Sequence, residues 1–322
     1  MTSIDLLKAN LLSPMVLCFA LGGLARFLRS DLRLPESVYA ALSTYLLLSI
    51  GLKGGVALSN EDVSTIIAPV AATLLLGVAI PPIVFGVCRG IGRLNTADSA
   101  ALAAHYGSVS AVTFIATQTF LAAFHVPVEG YLPALVAVLE IPAIVVGLLL
   151  ARKELAGGGT LRTALHEILT GKSVVLLAGG TVIGFLTGEQ GFAHVKEFFV
   201  TPFQGVLCLF LLDMGLHAAM KLREARRAGP FLILFAIIGP LCFGGLGILA
   251  GYLAGLGLGG STVLGAMSAS ASYIAAPAAI RLSLPKANPS IYLTAAVGIT
   301  FPFNLALGIP IYFSVARWLF AP

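Results

Sequence analysis

Long apolar runs separated by short polar turns dominate the chain, and the runs are continuously apolar. Ten runs stand out, at roughly 11–29, 35–58, 65–88, 97–124, 130–151, 173–189, 198–218, 229–256, 260–283 and 289–319. About 20 apolar residues in a helix cross about 30 Å of hydrocarbon. A membrane barrel would need alternation in every strand. The pattern therefore predicts an all-α membrane protein of ten transmembrane helices.

The polar interruptions repeat. Gly51-Leu52-Lys53-Gly54-Gly55, Pro81-Pro82, Gly107 to Thr113, Pro127, Tyr131 and Glu140-Ile141-Pro142 follow one another in the first half. Met214-Gly215-Leu216-His217, Gly239-Pro240, Ser268-Ala269-Ser270-Ala271-Ser272, Pro289, Tyr292 and Thr300-Phe301-Pro302 follow in the same order about 160 residues later. Five spans per copy is an odd number, so the copies must run in opposite senses through the bilayer. Inverted repeats with interrupted helices are a common architecture of secondary transporters. The expected organisation is a five-span repeat over 1–151, a cytoplasmic linker over 152–172 and an inverted five-span repeat over 173–322, with helices 4 and 9 broken.

Composition agrees: 58% of the residues are hydrophobic, 10% are charged and the mean hydropathy is +0.99. A soluble domain carries about 25% charged residues. The net charge of +5 reflects orientation and points to no nucleic-acid partner. With the N-terminus outside, fifteen of the nineteen lysines and arginines fall in alternate, cytoplasmic segments. That is the bias cytoplasmic loops carry, and it puts both termini outside. The linker holds Gly157-Gly158-Gly159 and a stretch, Thr160 to Thr170, able to form a short surface helix. The run 11–29 lacks the flanks of a cleaved leader and is expected to be the first span. Cys18, Cys88, Cys208 and Cys242 show no metal spacing and read as small core residues.

Candidate chemistry lies in the two interrupted runs. A break at Gly107-Ser108-Val109-Ser110 and another at Ser270-Ala271-Ser272 would each turn a half-helix N-terminus into the protein interior. Such an end carries about half a positive charge, and serine hydroxyls add donors. Two of them suit a monovalent anion. The competing reading is close helix packing through small residues. Glu140 precedes Pro142, which frees carbonyl oxygen upstream; with Thr113, Thr300 and Asn304 it makes a candidate sodium site. A backbone-bonded role for Glu140 stays open. His105 is a proton relay or a satisfied interior histidine, Asp213 a local partner of His217, and Arg281 an anion contact or an orienting charge. The run Gly255 to Gly260 reads as a tight turn.

Four stretches resemble the sodium-dependent bicarbonate transporter family known from cyanobacteria and other bacteria. They are Ile50 to Leu58, Gly107 to Thr113, Glu140-Ile141-Pro142-Ala143, and Arg281 to Ser290 with its Ala-Asn-Pro-Ser core. The resemblance implies a ten-span symporter of the bacterial inner membrane, in which one domain carries bicarbonate and Na+ past a scaffold. It also implies a trimer embedded in lipid, with no cofactor beyond Na+ as coupling ion. The chain departs from the family at Tyr273, where an acidic residue is usual, at Ala275 and Ala276, and at Glu140, where the family has aspartate. The short linker gives no support to the cytoplasmic regulatory partner of the longer-looped members. A carrier for a short carboxylate, coupled to protons or sodium, is the alternative; a channel or an intramembrane enzyme fits the sparse polar residues least.

Overall fold

The computed structural model describes residues 3–151, 166, 169–225 and 229–321, and among them there are helices and no strand. The Gly157–Gly159 linker and most of the expected surface helix, Thr160 to Thr170, lie outside the described residues. The helices are α1 (Ser3–Leu11), α2 (Pro14–Phe27), α3 (Glu36–Ser59), α4 (Val63–Gly90), α5 (Thr96–Gly107), α6 (Ala111–Ala123) and α7 (Leu132–Leu150). They continue as α8 (Lys172–Ala193), α9 (Lys196–Val200), α10 (Phe203–Ala225), α11 (Pro230–Leu253), α12 (Leu258–Ser268) and α13 (Ala275–Ser283). The last, α14, runs Pro289–Leu319 and widens to π-helix at Thr294–Thr300 and Asn304–Gly308.

Local chemistry sets many of the starts. Side-chain oxygens of Ser13, Asp62, Asn95, Ser110 and Asn288 accept backbone N–H groups at the starts of α2, α4, α5, α6 and α14, as N-caps do. Pro14 and Pro289 follow two of these caps, where the missing N–H is harmless.

Among the described residues, eight helices are long and apolar enough to cross a membrane, or nine if the bent pair Ile4–Leu11 and Pro14–Phe27, at 59°, is one span. The protein is therefore a multi-pass membrane protein. The sequence expectation of ten counted 260–283 as a whole, and α12 and α13, of 11 and 9 residues, are each too short alone. The α1 turn was not anticipated. Its Asn10 is buried and donates from Nδ2 to Leu305 O at 2.8 Å and Ala306 O at 3.0 Å. Those carbonyls lie in the second π-helical stretch, so α1 is fastened to α14.

Two helix pairs pack most intimately, α3 on α8 and α2 on α10. A Cβ at Gly55 would run into the Thr181 carbonyl, and one at Gly184 into that of Leu52. Gly22 and Gly215 do the same for α2 and α10, against Leu212 and Phe19. Small residues of this kind let membrane helices approach closely. The remaining long helices form a second group. There α4, α5 and α7 pack on one another, as do α11, α12 and α14, and the groups meet where α10 touches α14 and where α7 touches α3 and α8. The α5–α6 span lies deepest, with its whole apolar window buried.

Candidate functional site

Both interrupted runs are broken. After α5 the chain leaves the helix at Ser108 (ψ −172°) and re-enters at Ala111, so the first break is Ser108-Val109-Ser110. Residues 269–274 form the second, longer break. Gly107 sits where α5 ends because a Cβ there would strike the Pro81 ring and approach Ala143 Cβ to 3.0 Å.

The breaks are bonded to each other. Ser110 N donates to Ser270 Oγ at 2.8 Å, and Ser272 N donates to the His105 carbonyl at 2.8 Å. Ser270 Oγ passes its own proton to Met267 O at 2.7 Å. Ser110 Oγ accepts Thr113 N at 3.1 Å and caps α6; Ser272 Oγ accepts Ala276 N at 3.3 Å in the first turn of α13. Two half-helix N-termini therefore start at the crossing. The N–H groups of Ala111 and Val112 have no acceptor within their helix. Val109 and Ala271 are buried between the hydroxyls. The sequence expectations for these seven residues thus fall on one crossing.

Several oxygens at and around the crossing lack a protein partner. Ser108 Oγ, Thr113 Oγ1, Ser268 Oγ, Tyr273 OH and Glu140 Oε2 are all buried without a hydrogen bond. Buried polar atoms are normally satisfied, and hydrocarbon offers them no water. Glu140 lies one turn before Ala143, the residue that touches Gly107, and so shares the face of α7 turned to the first break.

The expected sodium set is only partly gathered. Thr300 donates to Ala236 O at 2.6 Å, so the 2.7 Å bond with Tyr106 must have the tyrosine as donor. Asn304 donates to Ala269 O at 2.8 Å and accepts from Tyr312 OH at 2.8 Å. Asn304 is thus tied to the start of the second break. Among the described residues no hydrogen bond joins Glu140 to Thr113, Thr300 or Asn304. Thr113 stands with the serines, its carbonyl taken by Thr117 Oγ1 at 2.8 Å.

His105 faces the Ala101 carbonyl through Nδ1 at 2.6 Å. A carbonyl only accepts, so Nδ1 carries the hydrogen and the unpartnered Nε2 is left. Its ring lies 4.4 Å from that of Tyr292. Asp213 and His217 pair at 3.2 Å, as the sequence suggested. Arg281 is exposed.

Three features escaped the sequence reading. Asp98 Oδ1 accepts Asn288 N at 2.6 Å, while Oδ2 accepts Asn95 Nδ2 at 2.6 Å. Asn288, from the Ala-Asn-Pro-Ser segment, accepts Ser290 N at 3.0 Å through its own Oδ1. That segment therefore builds a helix start docked on α5. The spacing Asn95-Thr-Ala-Asp98 resembles a capping box and was the available signal. At the start of α12, Gly257 N donates to Glu129 Oε1 at 2.6 Å. The glycine run is a turn at Gly255, with φ +81°, followed by a helix N-terminus with a carboxylate on it. Tyr273, noted only as a departure, places its buried hydroxyl beside Ser110.

Comparison with known families gives a match over nearly the whole chain. The model of the Na+-dependent bicarbonate transporter superfamily matches residues 14–317. No curated protein matches the chain.

Proposed function

The chain belongs to the Na+-dependent bicarbonate transporter superfamily, a transporter and not an enzyme, and we propose from that premise that it is a sodium-coupled symporter of bicarbonate into the cell. The observation that carries the reading is the crossing of the two breaks. Half-helix N-termini meet there among buried hydroxyls without partners. In this reading Gly107, Ser108, Val109, Ser110, Ser270, Ala271 and Ser272 surround the anion. Amide dipoles and hydroxyls balance a single negative charge with no arginine or lysine.

The cation enters the proposal through Glu140 and Thr113, each with an unpartnered buried oxygen. Thr300 and Asn304 belong to the wider set; the present hydrogen bonds of Asn304 fix the second break at Ala269, and those of Thr300 join Ala236 to Tyr106. Coupling has a physical reason. An anion entering a negative interior opposes about 2.3 kcal/mol per 100 mV, and a co-bound sodium cancels that charge.

The proposal includes two inverted five-span repeats, 1–151 and 173–322. Counting α12 and α13 as one span across their break brings the nine to ten. The packing supports a two-fold repeat: α2 with α10 joins spans 1 and 7, while α3 with α8 joins spans 2 and 6. Exchanging the repeats converts one pair into the other. A scaffold of these four helices, a moving group of the rest, both termini outside an inner membrane and a trimeric assembly complete the reading.

Purified carrier in liposomes should take up labelled bicarbonate faster with a sodium gradient than with potassium. Equal uptake in the two salts would remove the coupling. Stronger competition by acetate than by unlabelled bicarbonate would move the substrate to a short carboxylate.

A further inference from the structure

A second place, adjoining the crossing at Tyr273, collects ionisable groups. A cavity of about 420 Å³ opens between α3 and α10 on one wall and Tyr273, α13 and α14 on the other. It lies between the two helix groups, and Tyr273 joins it to the second break, one residue from Ser272. In the α10 wall sits Asp213, its side chain 3% exposed, with His217 one turn later at 53%. Asp213 Oδ2 lies 3.2 Å from His217 Nδ1, and the Asp213 carbonyl lies 3.0 Å from the same nitrogen. Both neighbours are oxygens, so Nδ1 carries a hydrogen and the proton that comes and goes is the one on Nε2.

The remaining charges are placed around this pair. From α3, Glu36 and Tyr39 face the cavity; from α10, Lys221; from the second break and α13, Tyr273 and Arg281. The lining residues of α14, Leu293 and Val297, are apolar. On the far side of α10, α2 carries Cys18 and Arg26, and neither lines the cavity. Tyr39 stacks on Phe210 at 5.2 Å and holds its ring 6.3 Å from His217. Asp213 thus has one charged partner within ion-pair distance among the described residues, an imidazole half open to the cavity.

A carboxylate buried in a span is a functional position by default, and imidazole is the side chain that changes charge near neutral pH. With a proton on Nε2 the pair is neutral. Without it, one negative charge stands in the wall of the cavity.

We propose that Asp213 and His217 form a proton-binding site in the wall of the path between the broken helices and the Arg281 face, and that the bound proton opens this path to the carried anion. The proton comes from water at the cavity mouth and returns there; no covalent bond to the anion is made. The inference rests on the crossing being the anion site, and it assigns the ligand of a separate place, a proton, to scaffold residues.

Two measurements separate this proposal from the reading it rests on. In the first, histidine ring signals of the full-length purified protein are titrated by nitrogen-labelled NMR. His217→Gln identifies the His217 signal by removing it, and Asp213→Asn should weaken proton binding at that signal by about tenfold. An unchanged titration in Asp213→Asn overturns the site, whatever the carrier transports. In the second, exchange of labelled bicarbonate across liposomes is followed at constant bicarbonate ion concentration, from about pH 6 to about pH 8.5. Wild type should slow several-fold across that range, and both variants should show a flattened profile. A wild-type profile in both variants overturns the gating role. Absence of bicarbonate exchange in wild type would sink the anion reading and leave the first measurement standing.

Discussion

The two breaks do the same job with different means. The first spans three residues and carries its own cap, Ser110, on the helix it starts. The second spans six residues and, although Ser272 Oγ accepts Ala276 N, its backbone is held from elsewhere: Asn304 of α14 grips Ala269 O and the His105 carbonyl of α5 takes Ser272 N. A short break can be stabilised by its own sequence. A long one exposes more backbone polar groups than its own side chains satisfy, and in a membrane the deficit must be met by neighbouring helices.

The largest effect should come from removing an outside support. Asn304→Ala leaves Ala269 O and Tyr312 OH without their partner, and each buried unsatisfied group costs about 1–3 kcal/mol. We expect a loss of about 2–5 kcal/mol in detergent unfolding and uptake below about a tenth of wild type. Wild-type stability in this variant would mean the second break supports itself. Ser270→Ala comes next, since Ser110 N loses its acceptor, while Met267 O keeps the backbone N–H of residue 270; about 1–3 kcal/mol is expected. Ser110→Ala removes a cap and should cost about 1 kcal/mol, with Ser110 N still bonded to Ser270. If Ser110→Ala proves worse than Ser270→Ala, the first break is the dependent one and the comparison reverses.

The smallest effect tests the far end of the second broken span. Glu129→Gln keeps an oxygen for Gly257 N but removes the charge from the helix N-terminus, worth about 0.3–1 kcal/mol. Thermal unfolding at low and high salt should show the difference shrinking as salt is added. A difference independent of salt would make Glu129 a packing residue.

The same contrast explains what the sequence made legible. Uninterrupted apolar runs located the long helices to within a few residues for α3, α4, α7 and α11, because hydrocarbon thickness fixes their length. Ser110 announced the first break, since a serine followed by a helix is a local signal. The Ser268 to Ser272 cluster marked the second, but not the partners that hold it. Asn304, Asp98 and Glu129 act over 35, 190 and 128 positions of chain, and one sequence carries no trace of such pairings. Thr300 and Asn304 were expected beside a cation because they align with the first copy near Glu140. They lie in the stretches of α14 that widen to π-helix and bond to the carbonyls of Ala236 and Ala269. The short α1 was missed because a nine-residue helix has too few turns to show an apolar stripe.

Asn10 has a mechanical consequence. It moors α1 to α14, while α2 is locked along α10. Only Leu12 and Ser13 separate the two helices, and three peptide units can stretch to about 10 Å. Sliding α14 past α10 by more than this leash allows must either unwind a helix end or strip Asn10 from its carbonyls. If the carrier moves as proposed, with α14 sliding along α10, this leash sets the length of the stroke.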